Sequence, residues 1–214
     1  MITANAILAT AASIDGLGVA TYDQTGAAQK WGPVLSSLVL GTPDTDLSTA
    51  KVGLGSADVY LALDLVAAVD AKNLARCNDE FTVAVVNTDA MDTGEIVRNR
   101  RLSLDESAML SLVRSCTSNK RLVAVPARKI AEGIVGDYLL TNIVAIGAAY
   151  QAGTIPISSK AIEAAIVANG VSVPQNLLAF RWGRTWVADS QSVREALDLD
   201  RNAAIAEPLA HLSP

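Results

Sequence analysis

The chain has 214 residues, half of them hydrophobic and only 18% charged, which is enough apolar material for one large α/β domain or two small ones. Its net charge of −5, with no basic cluster, weighs against a nucleic-acid binder, which must neutralise phosphates. The only histidine, His211, and two distant cysteines, Cys77 and Cys116, leave the chain unable to supply by itself the three or four ligands of a zinc site or iron–sulfur cluster. A nucleophile activated by histidine would depend on that one residue in the tail. Two buried structural cysteines in a reducing cytoplasm are the plainer expectation.

The first segment, MITANAILATAAS, carries no basic leader and reads as a helix over residues 2–14 rather than a signal peptide. In a parallel α/β fold such a helix follows a first strand through a glycine-rich turn. Here it starts at Met1, so the expectation is that the first strand and its Gly-rich loop are missing and that the chain is truncated or cut from a longer polypeptide. A strand is predicted over Leu17–Tyr22, and a second apolar run over Pro33–Leu40. Between and around them lies DQTGAAQKWGPVLSS, Asp23 to Ser37, the most polar turn on the most apolar framework of the chain. Gly41–Ser56 is a surface connection by composition.

Val59–Leu63, ending at Asp64, and Phe81–Val86, ending at Asn87, read as buried strands, with a helix or turn over Leu65–Ala75 between them. Ser103 and Glu106 have the spacing of a capping box ahead of Met109, Leu110 and Val113. Leu122–Val125 is a short strand closed by Pro126, and a long helix is predicted from Ala127 to Gln151. Its stripes Leu139, Ile143, Ile146, Tyr150 and Gly136, Leu140, Val144, Gly147 imply burial on most sides. Tyr138–Ser159 is free of charge, but Asn142, Gln151, Gly153 and Pro156 leave an apolar core shorter than the roughly 20 residues a bilayer requires. Ser158 caps a helix that Gly170 ends, Pro174 opens the next, which carries Trp182 and Trp186, and a short helix follows Ser190.

The fold class is therefore α/β, a Rossmann-like, mostly parallel sheet with a helical C-terminal layer. It forms one domain over residues 1–201, followed by a loosely ordered tail at 202–214. No membrane and no nucleic acid are expected, and the compartment expected is the cytoplasm.

Ligands in open α/β sheets gather beyond the carboxyl ends of the strands, where this reading puts Asp23, Asp64 and Asn87. Turn capping accounts for Asp64 and Asn87. Asp23 differs because Gln24, Thr25, Gln29 and Lys30 follow it at once, while Gly26 and Gly32 let a ligand or another chain approach the backbone. Lys30 can meet a phosphate or carboxylate as a point charge, or simply be solvated. Trp31, set in a turn, suits a partner or ligand surface. Gly53-x-Gly55 precedes a strand and lacks the third glycine, so it is not a dinucleotide fingerprint.

Two stretches together carry a resemblance. DQTGAAQKWGPVLSS resembles the strand-turn-strand segment of the gamma-type domain of 2-oxoacid:ferredoxin oxidoreductases, most of all in the indolepyruvate (arylpyruvate) branch. GDYLLTNIVAIGAAYQAGTIPISSKAIEAAIVANGVSVPQNLLAFRWGR, from Gly136 to Arg184, is similar to the C-terminal half of that domain, and TANAILATAA to its opening helix. What the resemblance implies is a non-thiamine domain or subunit, inactive alone, of an enzyme that oxidatively decarboxylates an aryl-2-oxoacid such as indolepyruvate to an acyl-coenzyme A.

On this resemblance thiamine diphosphate and the iron–sulfur clusters belong to partner domains or subunits, ferredoxin takes the electrons, and coenzyme A is a co-substrate. Gln24, Thr25, Gly26, Gln29 and Lys30 would face the coenzyme, and Asp23, Trp31 and Gly32 the partner. No catalytic residue and no metal ligand is assigned to the chain. Trp31 replaces a glycine of the family pattern, and Ser37 a histidine. Two competing readings are a stand-alone Rossmann-like nucleotide-binding protein and a catalytically empty interaction module.

Overall fold

The computed structural model describes residues 4–25, 34–89 and 105–198. Ala4–Ile14 form helix α1, which buries Ile7, Leu8, Ala11 and Ala12 on one face. Gly16, at φ +75°, ends it in the left-handed conformation that glycine adopts freely. The chain then enters strand β1, Gly18–Thr25, which pairs antiparallel with β2, Val34–Gly41, from Gly18 opposite Gly41 to Thr25 opposite Val34.

This ribbon departs from expectation in two ways. It is a separate two-stranded sheet rather than part of the parallel one. β1 also runs three residues past Tyr22, so that Asp23, Gln24 and Thr25 lie within the ladder and not in a turn. The physical reason is alternation: Val19, Thr21 and Asp23 share one face, Ala20, Tyr22 and Gln24 the other, a pattern of period two that persists after the apolar residues run out.

The parallel sheet has the order β3-β4-β5, built from Val59–Ala62, Val83–Asn87 and Leu122–Val125. Short helices α2, Leu65–Ala68, and α3, Ala71–Leu74, connect the first two strands, and α4, Glu106–Ser115, precedes the third. Asp105 caps α4 by accepting the Ala108 N–H at 2.9 Å. The expected cap, Ser103, lies outside the described residues. Central strand β4 is buried on both faces: Val85 enters the larger core, while Ala84 and Val86 enter a smaller one with Leu65, Leu74 and Val113. The sheet is thus covered on both sides, as continuous apolar runs require.

The long helix expected from Ala127 to Gln151 is broken. α5, Ala127–Ile130, continues as a π turn over Ala131–Val135 and stops where Gly136 turns left-handed at φ 84°. Asp137 restarts the chain by accepting the Leu139 N–H at 2.9 Å, and after a 3-10 turn over Tyr138–Leu140 the helix α6 runs from Thr141 to Gln151. A local cap and a glycine outweigh the apolar stripe here. α6 is buried from Ile143 to Ala149, and α7, Ser159–Asn169, starts on the Ser158 cap and ends at Gly170, φ 73°, as predicted.

α8, Val173–Ala188, carries Pro174 in its first turn and crosses α6 with backbones nearly touching. A Cβ on Gly147 would overlap the Phe180 carbonyl oxygen, and one on Gly183 the Val144 carbonyl oxygen. The two glycines are what allow this crossing. A last helix, α9, spans residues 190–198. Among the described residues no helix is long and apolar enough to cross a membrane.

Candidate functional site

The end of the β1–β2 ribbon is the part of the predicted site that the structure describes. Asp23 pairs with Ser36, Gln24 with Leu35 and Thr25 with Val34. Gly26, Gln29, Lys30, Trp31 and Gly32 lie outside the described residues. Asp23 is exposed, yet its Oδ1 accepts a hydrogen bond from Nδ2 of Asn5 at 2.8 Å. Asn5 itself is only 8% exposed, in the first turn of α1. Its signal was an amide on a face otherwise made of Ile7, Leu8 and Ala11.

The other face of the ribbon is covered by the connection that follows it. Oγ of Ser37, buried at 4% exposure, accepts the Val52 N–H at 3.4 Å. The Lys51 ammonium lies 5.9 Å from the Tyr22 ring centroid, and a Cβ on Gly18 would lie 3.2 Å from the Leu47 side chain. That connection is itself pinned: Arg76 donates to the Val52 carbonyl, and Asn78 Nδ2 donates to the Gly55 carbonyl at 3.2 Å. The ribbon therefore stands between α1 and a fastened strap.

At the carboxyl ends of the parallel strands, Asp64 and Asn87 serve the fold. Asp64 caps α2 by accepting from the Val66 and Ala67 N–H groups at 2.8 and 3.2 Å. Asn87 donates to the Leu63 carbonyl at 3.2 Å and accepts the Ala127 N–H at 3.1 Å, tying three strand ends together. Lys129 and Asp89 close an ion pair beside it at 3.4 Å. Asp64 thus has the capping role expected of it, whereas Asn87 adds to its local bond with the Asp89 N–H, at 3.3 Å, the bridge between neighbouring strand ends.

Both cysteines are free and half-buried, not fully buried as expected, because Cys116 sits at the margin of the smaller core with Cys77 beside it. Burial, with Cys116 adding to it, pushes the Cys77 thiol up to about 11, so it is protonated at neutral pH. Burial likewise raises nearby Tyr60, whose hydroxyl donates to the Ala68 carbonyl at 3.0 Å. Among the described residues no group of three His, Cys, Asp or Glu side chains converges as a metal site would. The two cysteines and one histidine of the whole chain do not fit the donor set of an iron–sulfur cluster. Trp182 and Trp186 both pack on the larger core, and the Trp186 indole donates to the Ala124 carbonyl at 2.8 Å.

Comparison with known proteins extends this picture. The family model described as pyruvate ferredoxin/flavodoxin oxidoreductase matches residues 1–186. The indolepyruvate oxidoreductase subunit IorB of Archaeoglobus fulgidus is 28% identical over 184 residues, which are 85% of this chain and 87% of that protein. The gamma subunit of a keto/oxoacid ferredoxin oxidoreductase from Geobacter sulfurreducens superposes with a TM-score of 0.57 at 22% identity, over 86% of this chain and 89% of its own. Pyruvate oxidoreductase subunit PORC of Thermotoga maritima gives 0.59 at 20% identity, over 85% and 86% of the two chains. The 2-oxoglutarate:ferredoxin oxidoreductase of Magnetococcus marinus gives 0.63 at 19% identity over 87% of this chain, which corresponds to 28% of that longer one. The α/β fold with a helical C-terminal layer, expected from the sequence, is shared with these structures.

Proposed function

This chain belongs to the pyruvate ferredoxin/flavodoxin oxidoreductase family, and on that footing we propose that it serves as the gamma-type, non-thiamine subunit or domain of a 2-oxoacid:ferredoxin oxidoreductase. The observation that carries the reading is the family match across residues 1–186, which spans the ribbon, the parallel sheet and the helical layer together. The likeness to an indolepyruvate oxidoreductase subunit favours an aryl-2-oxoacid as substrate. Thiamine diphosphate and the iron–sulfur clusters then reside on partner chains or domains, in keeping with a donor set here that fits neither a cluster nor a catalytic triad. Ferredoxin takes the electrons from the assembly, and the cytoplasm is the compartment.

Coenzyme A enters as co-substrate, and the structural relative from Magnetococcus marinus holds it together with 2-oxoglutarate and succinyl-CoA. On this reading Gln24, Thr25, Gly26, Gln29 and Lys30 face the coenzyme, while Asp23, Trp31 and Gly32 face the thiamine-bearing partner. The amides donate and accept hydrogen bonds, and the ammonium of Lys30 answers phosphate charge. The chain contributes binding and orientation, and the bond-breaking chemistry lies with the partner's cofactor.

The test is steady-state kinetics on the enzyme reassembled with its partner. Lys30→Ala and Gln29→Ala should each raise the KM for coenzyme A by roughly three- to thirtyfold while leaving kcat nearly unchanged, because they remove contacts made equally in ground and transition states. An unchanged KM in both would reduce the chain to a scaffold. Turnover of a 2-oxoacid by the isolated chain would overturn the assignment altogether.

A further inference from the structure

We propose that Asn5 is a positioning residue for the coenzyme-facing end of the ribbon: its amide holds the Asp23 carboxylate and thereby sets the direction in which the neighbouring Gln24 projects from β1. The inference rests on the reading that Gln24 faces the coenzyme, and it concerns a residue in a different element, eighteen positions away in sequence.

The argument begins with cost. An amide that is 8% exposed loses its water, so it is tolerated only where its polar atoms find partners. The partner of Nδ2 is a carboxylate at 2.8 Å, which makes the bond charge-assisted. Asp23 is exposed and would be content in water. The pair therefore satisfies Asn5 while fixing Asp23.

The anchor is rigid. α1 buries Ile7, Leu8, Ala11 and Ala12 in the larger core. At its far end the Asp15 carboxylate accepts the Ser158 hydroxyl at 2.8 Å, fastening that end to the cap of α7. What α1 holds is in need of holding. A two-stranded ribbon is marginal by itself; Val19, Leu38 and Leu40 pack its base on the core, and the strap reaches the other face at Tyr22 and Ser37, one pair short of Asp23 and Ser36. Beyond Thr21 and Leu38 the same face continues as Asp23 and Ser36, with no apolar side chain until Val34, which is 63% exposed. Among the described residues, the Asn5–Asp23 bond is the side-chain hydrogen bond nearest the Thr25 end of β1. Gln24 follows directly and points to the opposite face. A tilt of the ribbon about its packed base would be felt most at Gln24.

The experiment exchanges the two groups in the reassembled enzyme. Asn5→Asp sets two carboxylates against each other and should raise the KM for coenzyme A roughly three- to tenfold with kcat within about twofold of the parent. Amide hydrogen exchange at residues 22–24 should accelerate in the same variant. The double variant Asn5→Asp with Asp23→Asn restores an amide–carboxylate pair and should recover both properties, which a merely destabilised α1 would not do. Asp23→Ala, at an exposed position, repeats the loss where Asn5→Asp fails to fold, and an unchanged affinity for the partner distinguishes that loss from a missing partner contact.

Gln24→Ala separates this inference from the reading beneath it. If Gln24→Ala raises the KM and neither Asn5→Asp nor Asp23→Ala does, the positioning role is wrong and the coenzyme-facing assignment stands. A double variant that stays impaired likewise overturns the role. If Gln24→Ala also leaves the KM unchanged, the ribbon end does not face the coenzyme and both fall.

Discussion

Replacing Gly147 by alanine places a methyl where α6 and α8 touch. The added carbon would overlap the Phe180 carbonyl oxygen and sit 3.0 Å from the Phe180 carbonyl carbon and 3.2 Å from the Arg184 nitrogen. All three are backbone atoms, so no rotamer relieves the clash and the helices must move apart. Opening a packed interface by 0.5–1 Å forfeits about a quarter to a half of its dispersion attraction, and the interface here includes Ile143, Ile146 and Phe180, all at most 2% exposed. Set against this, alanine is worth about 1 kcal/mol more than glycine inside a helix. The overpacking term of about 3–5 kcal/mol, at and above the usual range because backbone must shift, leaves a net loss of about 2–4 kcal/mol. For a chain of this size that lowers Tm by roughly 5–15 °C, read by calorimetry or circular dichroism. Gly133→Ala is the control. Its methyl meets only Leu197 Cδ2, the end of a flexible side chain, and should cost under about 1 kcal/mol. A Gly147→Ala protein as stable as the parent would refute the close crossing, since propensity alone predicts a gain.

Two further outcomes follow from the strand ends and the second core. Asn87→Ala leaves the Ala127 N–H and the Leu63 carbonyl without their partner and should lower the urea midpoint by the equivalent of about 2–3 kcal/mol; an unchanged midpoint would mean that water replaces the amide. For Cys77 the folded value of about 11 lies above the ordinary 9.0. The folded state thus holds the thiol proton more tightly than the unfolded one. The stability this contributes is complete below pH 9 and is lost as pH rises from 9 to about 11. Cys77→Ala should flatten the fall in Tm across that window, and an identical slope would show that Cys77 does not contribute.

Much of the parallel sheet was legible because buried strands leave a signature that does not depend on partners. Val59–Ala62, Val83–Asn87 and Leu122–Val125 fall within a residue or two of the apolar runs that predicted them. The caps at Ser158 and Gly170 were equally local. Gly136 and Asp137 were visible too, yet an apolar stripe from Ala127 to Gln151 concealed what they do, because periodicity records burial and not backbone continuity. The ribbon's outer half leaves no such signature. It pairs polar residues, Asp23 with Ser36 and Tyr22 with Ser37, and a ladder there is paid for by the cross-strand bonds and by Asn5 and Val52, which lie elsewhere in the chain. Of the candidate site, residue types could be read from one stretch; the amide of Asn5 stood out on its apolar face, but its pairing with Asp23, eighteen residues away, did not.

The indole of Trp186 has a consequence that is colloidal rather than catalytic. Among the described residues β5 is the last strand on its side of the sheet, and the Ala124 carbonyl points away from β4, to which Arg121 and Val125 direct theirs. Trp186 occupies that outward carbonyl, with the Arg194 guanidinium 5.1 Å from its ring centroid. An uncovered Leu-Val-Ala-Val border would be a template on which strands of other molecules could assemble. The last turns of α8 therefore act as a seal. Truncation ahead of Trp186 would leave that carbonyl uncovered, and a growth in particle size by light scattering is the expected outcome.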